Sequence, residues 1–543
     1  VVGGAVPLEF DYIVIGAGSA GCVVANRLSA NAANRVCVLE AGPSDRPLLT
    51  ALRINTPPGN TTLLNSPRFN WGYRWTGGRR LQGRLFPCPR GRVVGGTSAV
   101  NGMVYIRGHK SDYDDWAALG NRGWSYADVL PFFKRHEHRE LGTDEYHGAG
   151  GELNVAPLRF LNPITNAFLK AGQPLQLGLN YDFNGPHQEG IGPYEVTQKN
   201  GERCSSARAF LHPALLQKNL ELMTGAMVLR INFVGRRAVS VTIRRNGAES
   251  TISARREIIL SGGAINSPHL LMLSGIGGAD DLQRAGIRVI RDAPGVGANL
   301  QDHPTIGVKV EDLSRSSFAV TPWTLLPFAW SGLRYALTRQ GRFTSNIVEA
   351  GGFIRTSHGL ERPDIQLILM VAARPIDQMF PYAHAFVIGS ILLRPTSRGR
   401  VELVSADPAT PPVLHPNFLA DDKEIPPLIA GLRLSRRIAK SPPFRDIAGM
   451  EQTPGPGSES DEQLRDYILR NIGTSYHPAG TCKMGPAGDV TAVVDDRLRV
   501  HGIEGLRVAD ASIMPSIIGG NTNAPAMMIG ERCADFILRS PAA

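Results

Sequence analysis

Apolar and polar positions alternate along this chain in two different rhythms. Residues 11–16 (DYIVIG) form a continuous apolar run that predicts a buried strand. Residues 22–33 then place Val23, Val24, Ala25 and Leu28 on one side of a predicted helix, and residues 35–40 (RVCVLE) give the next strand. Strand, helix and strand in that order make a right-handed unit with parallel strands. Farther on, residues 351–356, 364–370, 386–394 and 399–404 read as strands with short connections and no helices between them, which predicts an antiparallel sheet. The most apolar stretches are 321–337 and 385–393. Pro322, Pro327 and Arg334 interrupt the first, and neither predicts a membrane-spanning helix.

Composition narrows the class. The 543 residues, 42% hydrophobic and 20% charged with 60 Gly and 39 Pro, fit a loop-rich globular enzyme and exclude a disordered or collagen-like chain. Lys and Arg (58) exceed Asp and Glu (48), a net charge of +10, but the Arg residues are spread out and form no nucleic-acid arm. Cys22, Cys37, Cys88, Cys204, Cys482 and Cys533 lie far apart without a C-x-x-C, so neither a zinc site nor a disulfide framework is predicted and a reducing, cytoplasmic setting is expected. The start, VVGGAVPLEF, lacks the basic region of a signal peptide, although residue 1 is Val and not Met.

Chemistry enters between the first strand and helix, at Gly16-Ala-Gly18-Ser19-Ala20-Gly21. In such a loop the first glycine allows a tight turn, the second lets backbone approach a pyrophosphate, and the third lets helix pack on strand. Glu40 follows at the end of the next strand, where a carboxylate accepts hydrogen bonds from a ribose. The pattern predicts dinucleotide binding without separating NAD from FAD. No second such fingerprint occurs, although Gly275 to Gly278 is glycine-rich, so electrons are expected to come from an organic substrate.

Five segments, in order, give the chain a family resemblance: 91–108 (GRVVGGTSAVNGMVYIRG), 263–277 (GAINSPHLLMLSGIG), 294–304 (PGVGANLQDHP), 476–485 (YHPAGTCKMG) and 506–537 (LRVADASIMPSIIGGNTNAPAMMIGERCADFI). The sequence resembles the glucose-methanol-choline (GMC) flavoprotein oxidoreductases over essentially its whole length. The resemblance implies an α/β fold with a Rossmann-like FAD-binding domain (1–155, 205–306, 475–543) interleaved with an antiparallel-sheet substrate domain (156–204, 307–474). It assigns Gly16, Gly18, Ser19, Ala20, Gly21, Glu40 and Ala41 to the adenosine diphosphate end of FAD, and the backbone of Val228 to the adenine. Val94, Gly95, Gly96, Ser98, Asn101, Gly102, Met103 and Val104 would follow the pyrophosphate, ribityl chain and flavin edge, with core packing an equal role for Met103. Asp510 and Ala511 would meet the pyrophosphate or ribityl chain, and Asn521 and Thr522 the flavin's pyrimidine end, before a helix starting near Asn523. Val100 stands where covalently linked members carry a His, so the FAD is expected to be non-covalent.

The same resemblance makes His477 the catalytic base and Asn521, 44 residues later, its partner. A base suits the chemistry because hydride leaves a carbinol carbon readily only as its hydroxyl loses a proton, and an amide can donate to the developing alkoxide. His136 and His138, in KRHEHRE, are expected on the solvated face of a charged helix. No H-E-x-x-H or G-x-S-x-G is present, so zinc or Ser hydrolysis lacks its motif. Oxidation of a primary alcohol to an aldehyde is the expected function, with a quinone or oxygen as acceptor and loose contact with the inner face of a membrane. Alternatives are an aryl or furfuryl alcohol oxidase, a same-fold lyase or photodecarboxylase, and a non-catalytic flavin carrier. Apolar residues dominate 318–337 and 364–373, which favours uncharged medium-chain or aromatic alcohols.

Overall fold

A computed structural model describes residues 8–373 and 382–539; the first seven residues of the segment read for a signal peptide lie outside it. The first sheet is seven-stranded, ordered Leu220–Thr224, Val36–Glu40, Leu8–Ile15, Ala248–Leu260, Arg237–Arg245 and Met227–Val234, with Leu506–Val508 beside Ala248–Leu260. Its central pairs are parallel, with Tyr12 opposite Val36 and Ile13 opposite Ile258. Helix α1 (Ser19–Ser29) makes the predicted crossover and buries Val23, Val24, Ala25 and Leu28. It ends four residues before the predicted Ala33 because asparagines take over its last carbonyls: Asn34 Nδ2 donates to Leu28 O at 3.0 Å and Asn219 Nδ2 to Ser29 O at 2.9 Å.

Helix α2 (Leu48–Asn55) follows on the surface, then α3 (Tyr126–His136), whose Ser125 and Asp128 form a capping box. The expectation for the two histidines after it is corrected. The helix stops at His136, which is fully buried against Phe133 and Phe210, while His138 lies on a short strand and its Nδ1 accepts from Gly150 N–H at 3.0 Å.

The second sheet is antiparallel, ordered Ala448–Thr453, Pro304–Asp312, Ala385–Leu392, Ile365–Met370, Val348–Ile354 and Gly190–Pro193, with Gly473–Thr474 pairing Pro304–Asp312. Three of the predicted strands are in it. The fourth, Arg400–Glu402, belongs instead to a separate four-stranded sheet with Val413–His415, Tyr73–Thr76 and Leu85–Cys88. Helix α4 (Leu325–Thr338) lies across the rim of this half, and α5 (Asn523–Leu538) starts where predicted and packs on α1. Among the described residues no helix is long and apolar enough to cross a membrane. All six cysteines are buried and free.

Candidate active site

The two sheets enclose a cavity of about 1310 Å³. At its first end the glycine loop leaves Leu8–Ile15. Gly16 has φ +102°, and a Cβ there would lie 2.5 Å from Ser261 O; a Cβ on Gly21 would lie 1.9 Å from Gly16 O. Gly18 faces the cavity, and Gly96, at φ +53°, approaches it so closely that a Cβ on Gly96 would stand 2.8 Å from Gly18 Cα. Gly95 N–H donates to Ala17 O at 2.7 Å, tying the two loops together.

Two helices begin at this wall, α1 at Ser19 and α5 at Asn523, and Ser19 Oγ donates to Asn523 Oδ1 at 2.7 Å. Neither helix has a side-chain cap nor an acid in its first turn, so their free N–H groups favour an anion in the cavity. Glu40 accepts from Ala17 N–H at 3.0 Å and Gly42 N–H at 2.8 Å, and burial pushes its carboxyl up to about 7. Asp510 accepts from Gly263 N–H, Ser267 Oγ and Ser512 N–H at 2.5 to 2.8 Å.

Of the expected cofactor residues, Gly16, Gly18, Ser19, Ala20, Glu40, Ala41, Gly96, Asn101, Gly102, Met103, Val104, Val228, Asp510, Ala511, Asn521 and Thr522 line this one cavity. Gly21, Val94, Gly95 and Ser98 do not reach it. Ser98 stands behind the wall, donating to Gly95 O at 2.6 Å and accepting from Ser206 N–H at 2.9 Å, and so fixes the 95–98 turn. Arg203, unmarked by any motif, is wholly buried and donates to Asn101 O at 2.7 Å and Oδ1 at 2.8 Å; burial lowers its guanidinium to about 9.

At the other end Asn521 Nδ2 lies 3.1 Å from His477 Nε2. The amide's orientation is set from behind, because Gln366 Nε2 donates to Asn521 Oδ1 at 3.2 Å and to Tyr194 Oη at 3.1 Å, while Tyr194 donates onward to Leu367 O at 2.7 Å. Asn521 is therefore the donor and His477 Nε2 the acceptor. His477 Nδ1 then carries the proton and donates to His303 Nδ1 at 3.0 Å. By elimination the remaining proton of His303 is on Nε2. Asp302 Oδ1 accepts from the backbone N–H of both His303 and His477, each at 2.7 Å, which locks the two segments together. Burial, reinforced by the Arg90 guanidinium, pushes His477 down to about 3, and burial with the neighbouring His477 holds His303 well below the ordinary range. Both rings are neutral at neutral pH. His303, Asp302 and Gln366 escaped the sequence reading as site residues, although the first two lie in PGVGANLQDHP.

The antiparallel sheet contributes Thr305, Lys309, Ile368, Met370, Val387 and Ile391 to the wall, and Trp71, Phe318, Phe328 and Phe343 close it. Among the described lining residues the only carboxylates are Glu40 and Asp510, and the apolar half carries none.

A neutral imidazole held by an amide thus stands at the far end of a cavity whose first end, with its paired glycine loops, suits a dinucleotide. The chain belongs to the GMC oxidoreductase family, whose N-terminal model matches residues 10–305 and whose C-terminal model matches 395–530. It is 42% identical over 535 residues to an alcohol dehydrogenase [acceptor] of Pseudomonas putida, covering 98% of this chain and 96% of that one. It is likewise 42% identical over 539 residues to the mitochondrial choline dehydrogenase of Homo sapiens, covering 98% and 90%. The crystal structure of pyridoxine 4-oxidase from Mesorbium loti superposes with a TM-score of 0.87 at 29% identity, covering 98% of this chain and all of that one. The protein is an FAD-dependent oxidoreductase. The paired glycine loops, the two uncapped helix N-termini and the buried Glu40 fit that cofactor.

Proposed function

We propose that the enzyme oxidises an uncharged primary alcohol to an aldehyde, with His477 as base and Asn521 as alkoxide donor. The supporting geometry is the 3.1 Å approach of Asn521 Nδ2 to His477 Nε2. An alcohol oxygen that approaches both nitrogens from the cavity side, replacing their mutual hydrogen bond, donates its proton to Nε2 and accepts from the amide, so one contact takes the proton and the other stabilises the charge left behind. His303 keeps Nε2 free of its own proton. Bound FAD supplies the two-electron acceptor for the hydride that leaves the carbinol carbon. The residues assigned to it are the glycine loops for the pyrophosphate, Glu40 for the ribose, and Asn101, Gly102, Asp510 and Thr522 farther along.

The equal identity to an alcohol and a choline dehydrogenase leaves the substrate to be argued from the wall. A quaternary ammonium needs a carboxylate or an uncontested aromatic cage. Here the described apolar half has no carboxylate and carries Lys309 and Arg90, which repel a cation. Anaerobic flavin reduction should therefore proceed with hexanol or benzyl alcohol and be slow with choline; efficient choline turnover with none of hexanol would overturn the substrate assignment. We propose a quinone-type acceptor, with oxygen as a slow substitute. Reoxidation by a soluble quinone outpacing that by oxygen is the expected result, and fast peroxide formation would reverse the order.

A further inference from the structure

Helix α4 has one buried face and one that nothing described covers. Tyr335 is its buried residue and donates to Gly201 O at 3.2 Å; Phe328 turns inward onto Phe343, ring centroids 4.9 Å apart. Leu326, Trp330, Leu333 and Leu337 recur at steps of four, three and four, within about 60° of one another on a helix and opposite Tyr335. All four are 50% to 81% exposed, and Trp323, just before the helix, is 80% exposed. A soluble surface scatters such residues singly and does not align them.

Helix α2 lies at the same rim. The 57–59 turn after it touches the 342–344 turn after α4, and the Tyr335 hydroxyl reaches Thr56. Leu48, Leu49 and Leu52 of α2 are also exposed, and Leu52 and Arg53 line the cavity together with Phe328 and Phe343. The two helices thus flank a place where the cavity reaches the surface.

Charge identifies the occupant. Between Asp45 and Asp112 the chain carries ten Arg and one Lys and no acid, and between Asp312 and Glu349 it carries four Arg and no acid. α2 and α4 fall in these two segments. Arg46, Arg53 and Arg334 are exposed, and among the described residues none has a carboxylate within ion-pair distance. An apolar stripe with exposed Trp, bordered by cations without carboxylate partners and with the nearby Glu202 already held by Arg208 and Arg339, is complementary to a lipid interface with anionic headgroups. A second copy of this chain, with its net charge of +10, would bring no such field.

We propose that α2 and α4 form a monotopic docking face for an anionic bilayer, which seats the cavity mouth at the lipid surface. An apolar alcohol or acceptor dissolved in the bilayer then enters between Leu52 and Phe328 without crossing water. The docking does not depend on which alcohol is oxidised, so its test is separate from that of the reaction.

The FAD-loaded enzyme should co-sediment with vesicles of phosphatidylcholine mixed with phosphatidylglycerol and bind pure phosphatidylcholine far less, the difference shrinking as salt rises. Replacing Leu326, Trp330 and Leu337 together by Ser should weaken that partition at least roughly tenfold. Arg46→Gln with Arg334→Gln should weaken it by roughly fivefold per charge. Both variants should keep flavin content and turnover of a water-soluble alcohol, and Leu216→Ser, at another exposed leucine, should bind like the native enzyme. Brominated phosphatidylglycerol should quench tryptophan fluorescence of the unsubstituted enzyme, which tests the contact without relying on a variant's folding. Equal binding to neutral vesicles, unchanged binding by the triple variant, no quenching, or a native dimer that the triple variant converts to monomer without vesicle binding would each overturn the proposal.

Discussion

His477 and His303 face each other Nδ1 to Nδ1 at 3.0 Å, their rings nearly perpendicular at 85°. Two neutral imidazoles can share one hydrogen bond in that arrangement only if one nitrogen is protonated and the other bare. The Asn521 amide on the far side decides which, and Gln366, which does not line the cavity, holds that amide in its orientation.

Replacing His303 by Ala should leave His477 Nδ1–H buried without an acceptor. An orphaned buried donor costs roughly 1 to 3 kcal/mol, which in the reductive step corresponds to roughly a five- to 150-fold loss. FAD content should be unchanged, and His303→Asn, whose amide oxygen can accept, should recover part of the rate. Rapid-reaction flavin bleaching reads this directly; an unaltered rate would show that the His477 tautomer is set otherwise.

His477→Ala should slow flavin reduction by roughly 10²- to 10⁴-fold, the contribution of a positioned general base. Asn521→Ala should cost roughly 2 to 4 kcal/mol in the same step as a lost alkoxide donor, and the double replacement less than the sum because both act on one oxygen. An ordinary imidazole would make the rate rise with pH near 6.5. Burial carries His477 down to about 3, so the neutral base is fully present above that range and the native rate should be flat from pH 5 to 8. Loss of rate on acidification should begin below pH 5 and should be absent in His477→Ala. A native profile that climbs through pH 6 to 7 would place a charged group beside His477 that outweighs its burial.

Acid precipitation of the holoenzyme should leave the yellow colour in the supernatant. Val100, the residue before Asn101, lines the cavity and carries no nucleophile, and the only histidines among the described lining residues are His269 and His477. Colour kept by the washed pellet would show a covalent link.

Much of this was legible in the sequence where one segment carries its own signal. The strand at 11–16, helix α1 and the strand at 35–40 are a local pattern, and Gly16, Gly18 and Gly21 are fixed by sterics within six residues. Pro304–Asp312 was not read as a strand although its burial alternates strictly, because its cavity face carries Thr305 and Lys309 where a core strand would be apolar. His303 meets His477 across 174 residues, and Gln366 meets Asn521 across 155; neither distance has a periodicity to betray it. The charged setting of His136 pointed outward, yet the helix ends there and Phe133 and Phe210 enclose the ring.

Glu40 should give the apoprotein an unusual pH dependence. Its carboxyl is buried against only two backbone N–H donors, and burial raises it to about 7 from an ordinary 4.5. A raised carboxyl means that the folded state holds the proton more tightly than the unfolded state. Its contribution is therefore fully present below about pH 4.5 and is lost as pH rises through about 7, by roughly 3 kcal/mol at most if the whole shift is realised. Glu40→Gln keeps the volume and removes the titration, so the difference in Tm between the native apoprotein and this variant should move in the variant's favour between pH 5 and 8. Ribose hydroxyls donating to Glu40 would stabilise the ionised form, so FAD binding near pH 7 should release a fraction of a proton in the native protein and less in Glu40→Gln, measurable by calorimetry in buffers of different ionisation enthalpy. A Tm difference that does not change with pH would mean that Glu40 is ionised throughout, and that its two N–H donors suffice to hold the charge.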